Sequence, residues 1–204
     1  MDRVDGFIIG GGMANTFLLA QGKSVGKSLA EPDRVEEARR IMAAAEGKGV
    51  RIVLPVDVIV AKEVTQGTEY KTLSADKIPA SWHIVDVGRQ TLGLMEEALE
   101  PARTVFWNGP LGVFEIPSFA HGTNAIARYL ADRADAGATV VVGGGDSVAA
   151  VTQQGLAARM THISTGGGAS LEFLEGRELP GIAVLLDRPA GEPAAASMAG
   201  EAGG

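Results

Sequence analysis

The stretch TVVVGGGDSVAA at positions 139–150 decides the fold class. Its β-branched first four residues are typical of a strand that is buried on both faces of a parallel sheet. Three glycines follow, and Asp146 and Ser147 then stand where the first turn of a helix is commonly capped. A strand, a tight glycine turn and a helix in this order form the unit from which parallel α/β sheets are built.

The same order recurs along the chain. Short apolar runs predict strands at 7–9, 51–54, 56–60, 84–87, 104–107, 139–142 and 162–164. Helical periodicity predicts helices at 32–45, 92–99, 119–134 and 146–154, the first one ended by Gly47. We therefore expect an α/β fold over residues 1–186: a three-layer Rossmann-like domain with a mainly parallel sheet flanked by helices. Residues 187–204 are mostly Ala, Gly and Pro, and this composition predicts a disordered tail.

The composition excludes several classes of protein. The 204 residues carry a net charge of −7, which argues against a nucleic-acid partner. The chain has no cysteine, so it offers neither a disulfide nor a thiolate metal site. No apolar run approaches the 18 residues of a membrane span, and the N-terminus lacks a signal pattern. We expect a cytoplasmic protein with no membrane partner.

Three glycine triplets, at 10–12, 143–145 and 166–168, each follow a predicted strand and precede a helical segment. Ligands of parallel α/β domains bind at the carboxyl ends of strands, where glycine lets backbone N–H groups approach a phosphate. The triplets therefore favour phosphate or nucleotide binding, although glycine can also serve only to turn the chain. Neither a complete G-x-G-x-x-G fingerprint nor a P-loop motif is present.

Two acidic residues have more than one interpretation on spacing alone. Asp146 is either a plain helix cap or a Mg²⁺ ligand beside bound phosphates. Glu115 is either a solvated loop residue or an acceptor for a ribose hydroxyl. A serine-hydrolase interpretation of Ser147 fails, because no acid lies between Ser147 and the only later histidine, His162.

Taken together, six motifs resemble the phosphoglycerate kinase family. They are GGGMA at 10–14, LPVD at 54–57, WNGPLGVFE at 107–115, VGGGDS at 142–147, HISTGGGAS at 162–170 and LEGRELPG at 174–181. The resemblance implies a glycolytic transferase of two lobes that exchanges a phosphoryl group between ATP and 3-phosphoglycerate. The motifs belong to the C-terminal, nucleotide-binding lobe of that family.

The resemblance also implies a binding site for an adenine nucleotide. Adenine would be bordered by Gly11, Gly12, Leu29 and Val113, with Asn108 and Gly109 lining the neighbouring wall. Glu115 would accept hydrogen bonds from the ribose, and Gly88 would lie near the nucleotide as well. Residues at the phosphates of ATP or ADP would be Gly144, Gly145 and Ser147, with Asp146 on Mg²⁺. Gly145 and Gly168 would donate N–H groups to the phosphoryl group in flight.

The resemblance covers one lobe and begins after the glycine- and lysine-containing strand that opens it in the family. We therefore expect 3-phosphoglycerate to bind only where an N-terminal lobe is present, and the chain to be inactive alone. Members of the family are usually monomeric. Three hypotheses remain open at this point: part of an enzyme, a free-standing nucleotide-binding module without catalysis, and a poorly folded fragment.

Overall fold

The computed structural model describes residues 1–164 and 166–185. The chain divides into two compact units, Met1–Gly167 and Gly168–Gly204. The tail predicted at 187–204 lies outside the described residues. None of the helices in the described part combines the length and apolarity that crossing a membrane requires.

The first unit holds the strands and most of the helices. Its described strands are β1 (Gly6–Ile8), β2 (Arg51–Val53), β3 (Asp57–Ala61), β4 (Tyr70–Ser74), β5 (His83–Val87), β6 (Thr104–Asn108), β7 (Thr139–Gly143) and β8 (His162–Ser164). The helices are α1 (Gly11–Ala20), α2 (Val35–Lys48), α3 (Arg89–Leu99), α4 (His121–Asp135) and α5 (Gly145–Gln153), then α6 (Gly167–Glu175) at the boundary and α7 (Pro180–Ala183) in the second unit. Single 3₁₀ turns lie at Pro32–Arg34, Pro117–Phe119 and Ala157–Arg159.

The parallel sheets confirm the predicted α/β fold. Strand β1 pairs with β2, and β7 pairs with β6 on one side and with β8 on the other, all in parallel. The registers are regular, with Phe7 opposite Ile52 and Phe106 opposite Val141. Strand β8, the weakest of the sequence predictions, is present with the predicted bounds.

The side chains of β1 and β2 alternate between the two faces of their sheet, and helices cover both faces. Phe7, Ile9 and Ile52 pack into the cluster that α1 and α2 cover. Ile8 and Val53 point the other way, into the main core with α3 and α4. The period of two is what a strand produces, because successive side chains leave opposite faces. Burial on both faces explains why Phe7, Ile8, Ile52 and Val53 are all apolar, whereas Arg51 at the start of β2 is exposed.

The sheet of β3, β4 and β5 is the antiparallel part of a fold that was expected to be mainly parallel. The sequence predicted a strand at 56–60 without assigning its partners, and β3 pairs antiparallel with both β4 and β5. Strand β4 was missed altogether, because four of its five residues are exposed and its sequence, YKTLS, is polar. A polar edge strand lacks the apolar run on which the prediction depended.

Helix α2 continues one residue beyond the predicted stop at Gly47. The residue that ends it is Gly49, in the left-handed conformation at φ +67°. The N–H groups of Gly49 and Val50 return to the carbonyls of Glu46 and Ala45. Glycine adopts this conformation without the steric penalty of a Cβ, so Gly49 is the C-terminal cap.

A buried acid and a buried threonine join the start of α3 to β3. Asp57 accepts the N–H groups of Gln90 (3.1 Å) and Thr91 (2.7 Å) on its two carboxylate oxygens. In return the Thr91 hydroxyl accepts the N–H groups of Val56 (3.0 Å) and Asp57 (3.1 Å). Gly88 precedes the helix, and a Cβ on it would collide with the Asp57 carboxylate. Glycine is required there by packing.

We expect Gly88→Ala to destabilise the fold by about 2–3 kcal/mol, because the added methyl displaces the Asp57 carboxylate from the start of α3. Gly93→Ala in the same helix is the matched control, since a Cβ there has no neighbour within 4 Å. The control should gain about 0.5–1 kcal/mol from helix propensity. Urea unfolding of both variants measures the difference. Equal midpoints would contradict the packing role of Gly88.

Candidate functional site

The glycine turn between β7 and α5 contains glycines of two kinds. Gly144 precedes the helix at φ +86°, and a Cβ on it would lie 2.9 Å from Asn108 Oδ1. A Cβ on Gly143 would lie 2.9 Å from Phe106 Cζ. Gly167, after β8, closes on the same place, since its Cβ would lie 2.5 Å from Gly144 Cα. These three glycines are required by close approach of neighbouring strands.

Gly145 has no such reason to be glycine. It is exposed, its φ is not positive, and a Cβ built on it meets no atom within 4 Å. It opens α5, whose first hydrogen bond runs from Val148 N–H to the Gly144 carbonyl at 3.0 Å. A helix has no acceptor of its own for the N–H groups before that bond, and its N-terminus carries partial positive charge. The geometry favours an anion at Gly145.

Asp146 and Ser147, next in α5, face different surroundings. Asp146 is exposed, whereas Ser147 is fully buried. The Ser147 hydroxyl accepts the N–H of Gly109 at 2.6 Å, which joins the start of α5 to the end of β6. Within residues 1–164 and 166–185, no group of three His, Cys, Asp or Glu side chains is placed to hold a metal. A single exposed carboxylate still suits Mg²⁺, which fills its shell with phosphate oxygens and water.

Asn108 is the last residue of β6, and Gly109 follows it; both contact the β7–α5 segment. Asn108 lies against Gly144, and Gly109 takes φ +93°. The Trp107 indole N–H donates to the Gly109 carbonyl at 2.7 Å. With the Ser147 bond, both the N–H and the carbonyl of Gly109 are held. The structure therefore brings together four of the predicted residues: Asn108, Gly109, Gly144 and Ser147.

The turn between β1 and α1 approaches the loop after β6. A Cβ on Gly10 would collide with the Leu111 side chain, and one on Gly11 (φ +58°) would lie 2.9 Å from the Pro110 carbonyl oxygen. Gly12 is exposed, and a Cβ built on it would lie 3.4 Å from Leu29 Cδ2.

Leu29 is 80% exposed, and its carbonyl accepts the side-chain N–H of Asn15 at 2.9 Å. An apolar side chain held against an exposed glycine is suited to contact a flat apolar ring.

Of the remaining predicted residues, Val113 and Glu115 follow this loop in the chain, Gly88 is enclosed by packing and Gly168 belongs to the second unit. Val113 is half-buried, with its N–H bonded to the Val85 carbonyl, and Glu115 is exposed two residues on. Gly88 is buried against Asp57, as described above. Gly168 begins the second unit, and it has no neighbour within 4 Å of a built Cβ.

Sequence reasoning missed a buried acid, Asp86, that accepts a hydrogen bond from the start of α4. It is 1% exposed and accepts the N–H groups of Gly122 (2.7 Å) and Val87 (2.9 Å). Burial raises the pKa of Asp86 to about 7, against the N–H donors of Gly122, Val87 and His121, which lower it. The signal available in the sequence was an acid inside an apolar strand, because a buried carboxylate requires donors.

Parallel strands, helices on both faces and glycine turns at strand ends define a Rossmann-like α/β domain. The model of the phosphoglycerate kinase family matches residues 1–177. The chain belongs to this family.

Individual relatives agree. A phosphoglycerate kinase of Pelotomaculum thermopropionicum is 56% identical over 188 residues, and one of Chloroflexus aurantiacus is 54% identical over 187. Each comparison covers 92% of this chain and 47% of the relative.

Solved structures agree with the sequences. The phosphoglycerate kinase of Coxiella burnetii superposes with a TM-score of 0.83 at 44% identity, covering 89% of this chain and 46% of that one. The Pyrococcus horikoshii enzyme gives 0.74 at 34% identity, covering 89% and 45%. The chain spans about half the length of the curated relatives it matches.

The Asp86 carboxyl should make stability depend on pH. Its folded pKa of about 7 lies above the ordinary value of 3.8, so the folded state holds the proton more tightly. This contribution is fully present below pH 4 and is lost as the pH rises towards 7, by about 1.4 kcal/mol per unit within that window. Asp86→Asn removes the titration, so the variant should gain stability relative to wild type between pH 4 and 8. Urea unfolding at several pH values tests this, and parallel curves for the two proteins would refute it.

Proposed function

We propose that the chain is the Mg-ATP/ADP-binding lobe of a phosphoglycerate kinase, which transfers a phosphoryl group reversibly between ATP and 3-phosphoglycerate. The observation that carries the proposal is Gly145, a glycine with open space above it at the start of α5. Neither packing nor backbone conformation requires glycine there, and a glycine at a helix start lets a ligand approach the backbone closely. Anions bind at such helix starts.

The phosphates would lie along the N–H groups of Gly144, Gly145 and Ser147. The Ser147 hydroxyl oxygen accepts the Gly109 N–H, which leaves its O–H, together with the Ser147 backbone N–H, as donors for a phosphate. Asp146 is exposed beside them and would hold Mg²⁺. When bound, the ion offsets the negative charge of the phosphate oxygens.

The nucleoside would extend towards the α1 turn. Gly11, Gly12 and Leu29 would border adenine from one side and Val113 from the other. Asn108 and Gly109 would form the adjoining wall, and Glu115 would accept hydrogen bonds from the ribose. The support is geometric: the loop after β6 and the Gly10–Gly11 turn already touch. Gly88 has a packing role, and we leave it outside the contact set.

The chemistry of phosphoryl transfer is compatible with a site of this kind. Phosphoryl transfer depends on positioning and charge stabilisation rather than on covalent participation of the protein. The acceptor is a carboxylate, so no general base is needed. Gly145 would present its N–H to the transferring group. We place the 3-phosphoglycerate site in the half of the relatives that this chain does not span, and we expect no turnover from these 204 residues alone.

We expect Asp146→Asn to weaken Mg·ADP binding about tenfold or more, because the carboxylate that offsets the ion's charge is lost. Affinity for ADP in the presence of a chelator should change little. Glu46→Gln, an exposed acid on α2, is the control for general charge. Calorimetric titration of the three proteins measures this, and an equal loss with and without Mg²⁺ would exclude the metal role.

Glu115→Ala should weaken adenosine-containing ligands about tenfold, the usual cost of a hydrogen bond to a charged group, and leave pyrophosphate binding unchanged. The two ligands separate the ribose from the phosphates, since only ADP carries a ribose. Competition titrations with ADP and pyrophosphate give both affinities. If both fell together, Glu115 would act on the fold or the phosphates instead of on the ribose.

A further inference from the structure

Thr123 is a fully buried threonine in the first turn of α4 that the site so far does not use. Its hydroxyl accepts two successive N–H groups of the loop after β6, from Leu111 at 3.1 Å and from Gly112 at 3.3 Å. No backbone carbonyl of a strand or helix in the described part of the chain accepts these two N–H groups. Buried N–H groups left without an acceptor are costly, so the hydroxyl determines where this part of the loop lies.

The effect of this contact reaches both walls of the proposed nucleoside site. Leu111 fills the space beside Gly10, and the carbonyl of the preceding Pro110 lies against Gly11. On the other side, Val113 and Glu115 follow Gly112 directly in the chain. Moving residues 110–112 therefore moves the surface against which the α1 turn packs and the start of the segment proposed to contact adenine and ribose.

We propose that Thr123 is a positioning residue for nucleotide binding: it touches no ligand and sets the site through the 110–112 turn. This inference rests on the proposed function for the identity of the ligand. The hydrogen bonds that carry it are independent of that function, so the two can fail separately.

Thr91 supplies a matched control within the same chain. It is also fully buried in the first turn of a helix, α3, and its hydroxyl also accepts two successive N–H groups, those of Val56 and Asp57 at the start of β3. Thr91→Val and Thr123→Val therefore remove the same kind of acceptor at the same helical position, and Thr91→Val also removes a donor to Asp57 at 2.7 Å, which makes it the more severe change to the fold. Only Thr123 holds the loop that carries the proposed nucleotide contacts.

The test compares Thr123→Val, Thr123→Ser and Thr91→Val by calorimetric titration with Mg·ADP, below the melting transition of each. Thr123→Val should weaken ADP binding about tenfold, because two loop N–H groups lose their acceptor. Thr123→Ser restores the hydroxyl and should bind within about threefold of wild type, as should Thr91→Val. Equal losses in Thr91→Val and Thr123→Val, or no loss in Thr123→Val, would overturn the proposal.

Amide hydrogen exchange without nucleotide provides a second readout that does not require binding. Exchange at Leu111 and Gly112 should be faster in Thr123→Val than in wild type or Thr91→Val, and slow again in Thr123→Ser. If the four proteins show this exchange pattern but the wild-type chain does not bind ADP, the proposed function is contradicted. The role of Thr123 in the loop is then still supported. Unchanged exchange at both amides in Thr123→Val would overturn that role.

Discussion

The structure depends on having hydrogen-bond acceptors for the backbone N–H groups of helix starts and tight turns, which lie where strands end. At α3 and α4 a buried aspartate accepts the first N–H groups of the helix, Asp57 in one case and Asp86 in the other. In both, a threonine in the first turn accepts N–H groups of a neighbouring segment. The chain thus supplies buried carboxyl groups to the starts of two helices, and these helix starts are closed to ligands.

Helix α5 follows a different arrangement. Its first turn contains Gly145 and Asp146, both exposed, and its one buried polar side chain, Ser147, accepts from the preceding loop. The positive end of the helix is therefore directed at open space. Compared with α3 and α4, the start of α5 is suited to an external anion. Membership in the phosphoglycerate kinase family is consistent with this reasoning.

The sequence predicted the strands and helices of the parallel sheets because their apolar runs and glycine turns are local signals. It missed β4, whose polar residues carry no apolar run, and it assigned no partners to β3, since strand pairing depends on residues distant in sequence. Within the site, the glycine turns were recognisable in advance. The roles of Asp86 and Thr123 were not, because each depends on contacts with a segment whose approach only the fold creates.

The glycines clarify why a motif of identical letters predicts function poorly by itself. In GGGDS, Gly143 and Gly144 are explained by close contacts with Phe106 and Asn108, and only Gly145 lacks such an explanation. A triplet interpreted as one phosphate-binding unit thus combines packing with the recognition proposed here. The packing glycines bring β6, β7 and the turn after β8 close enough that Asn108 and the start of α5 share one edge. The anion binding proposed at Gly145 would depend on that closeness, so the first two glycines would act on the ligand through the position of the third.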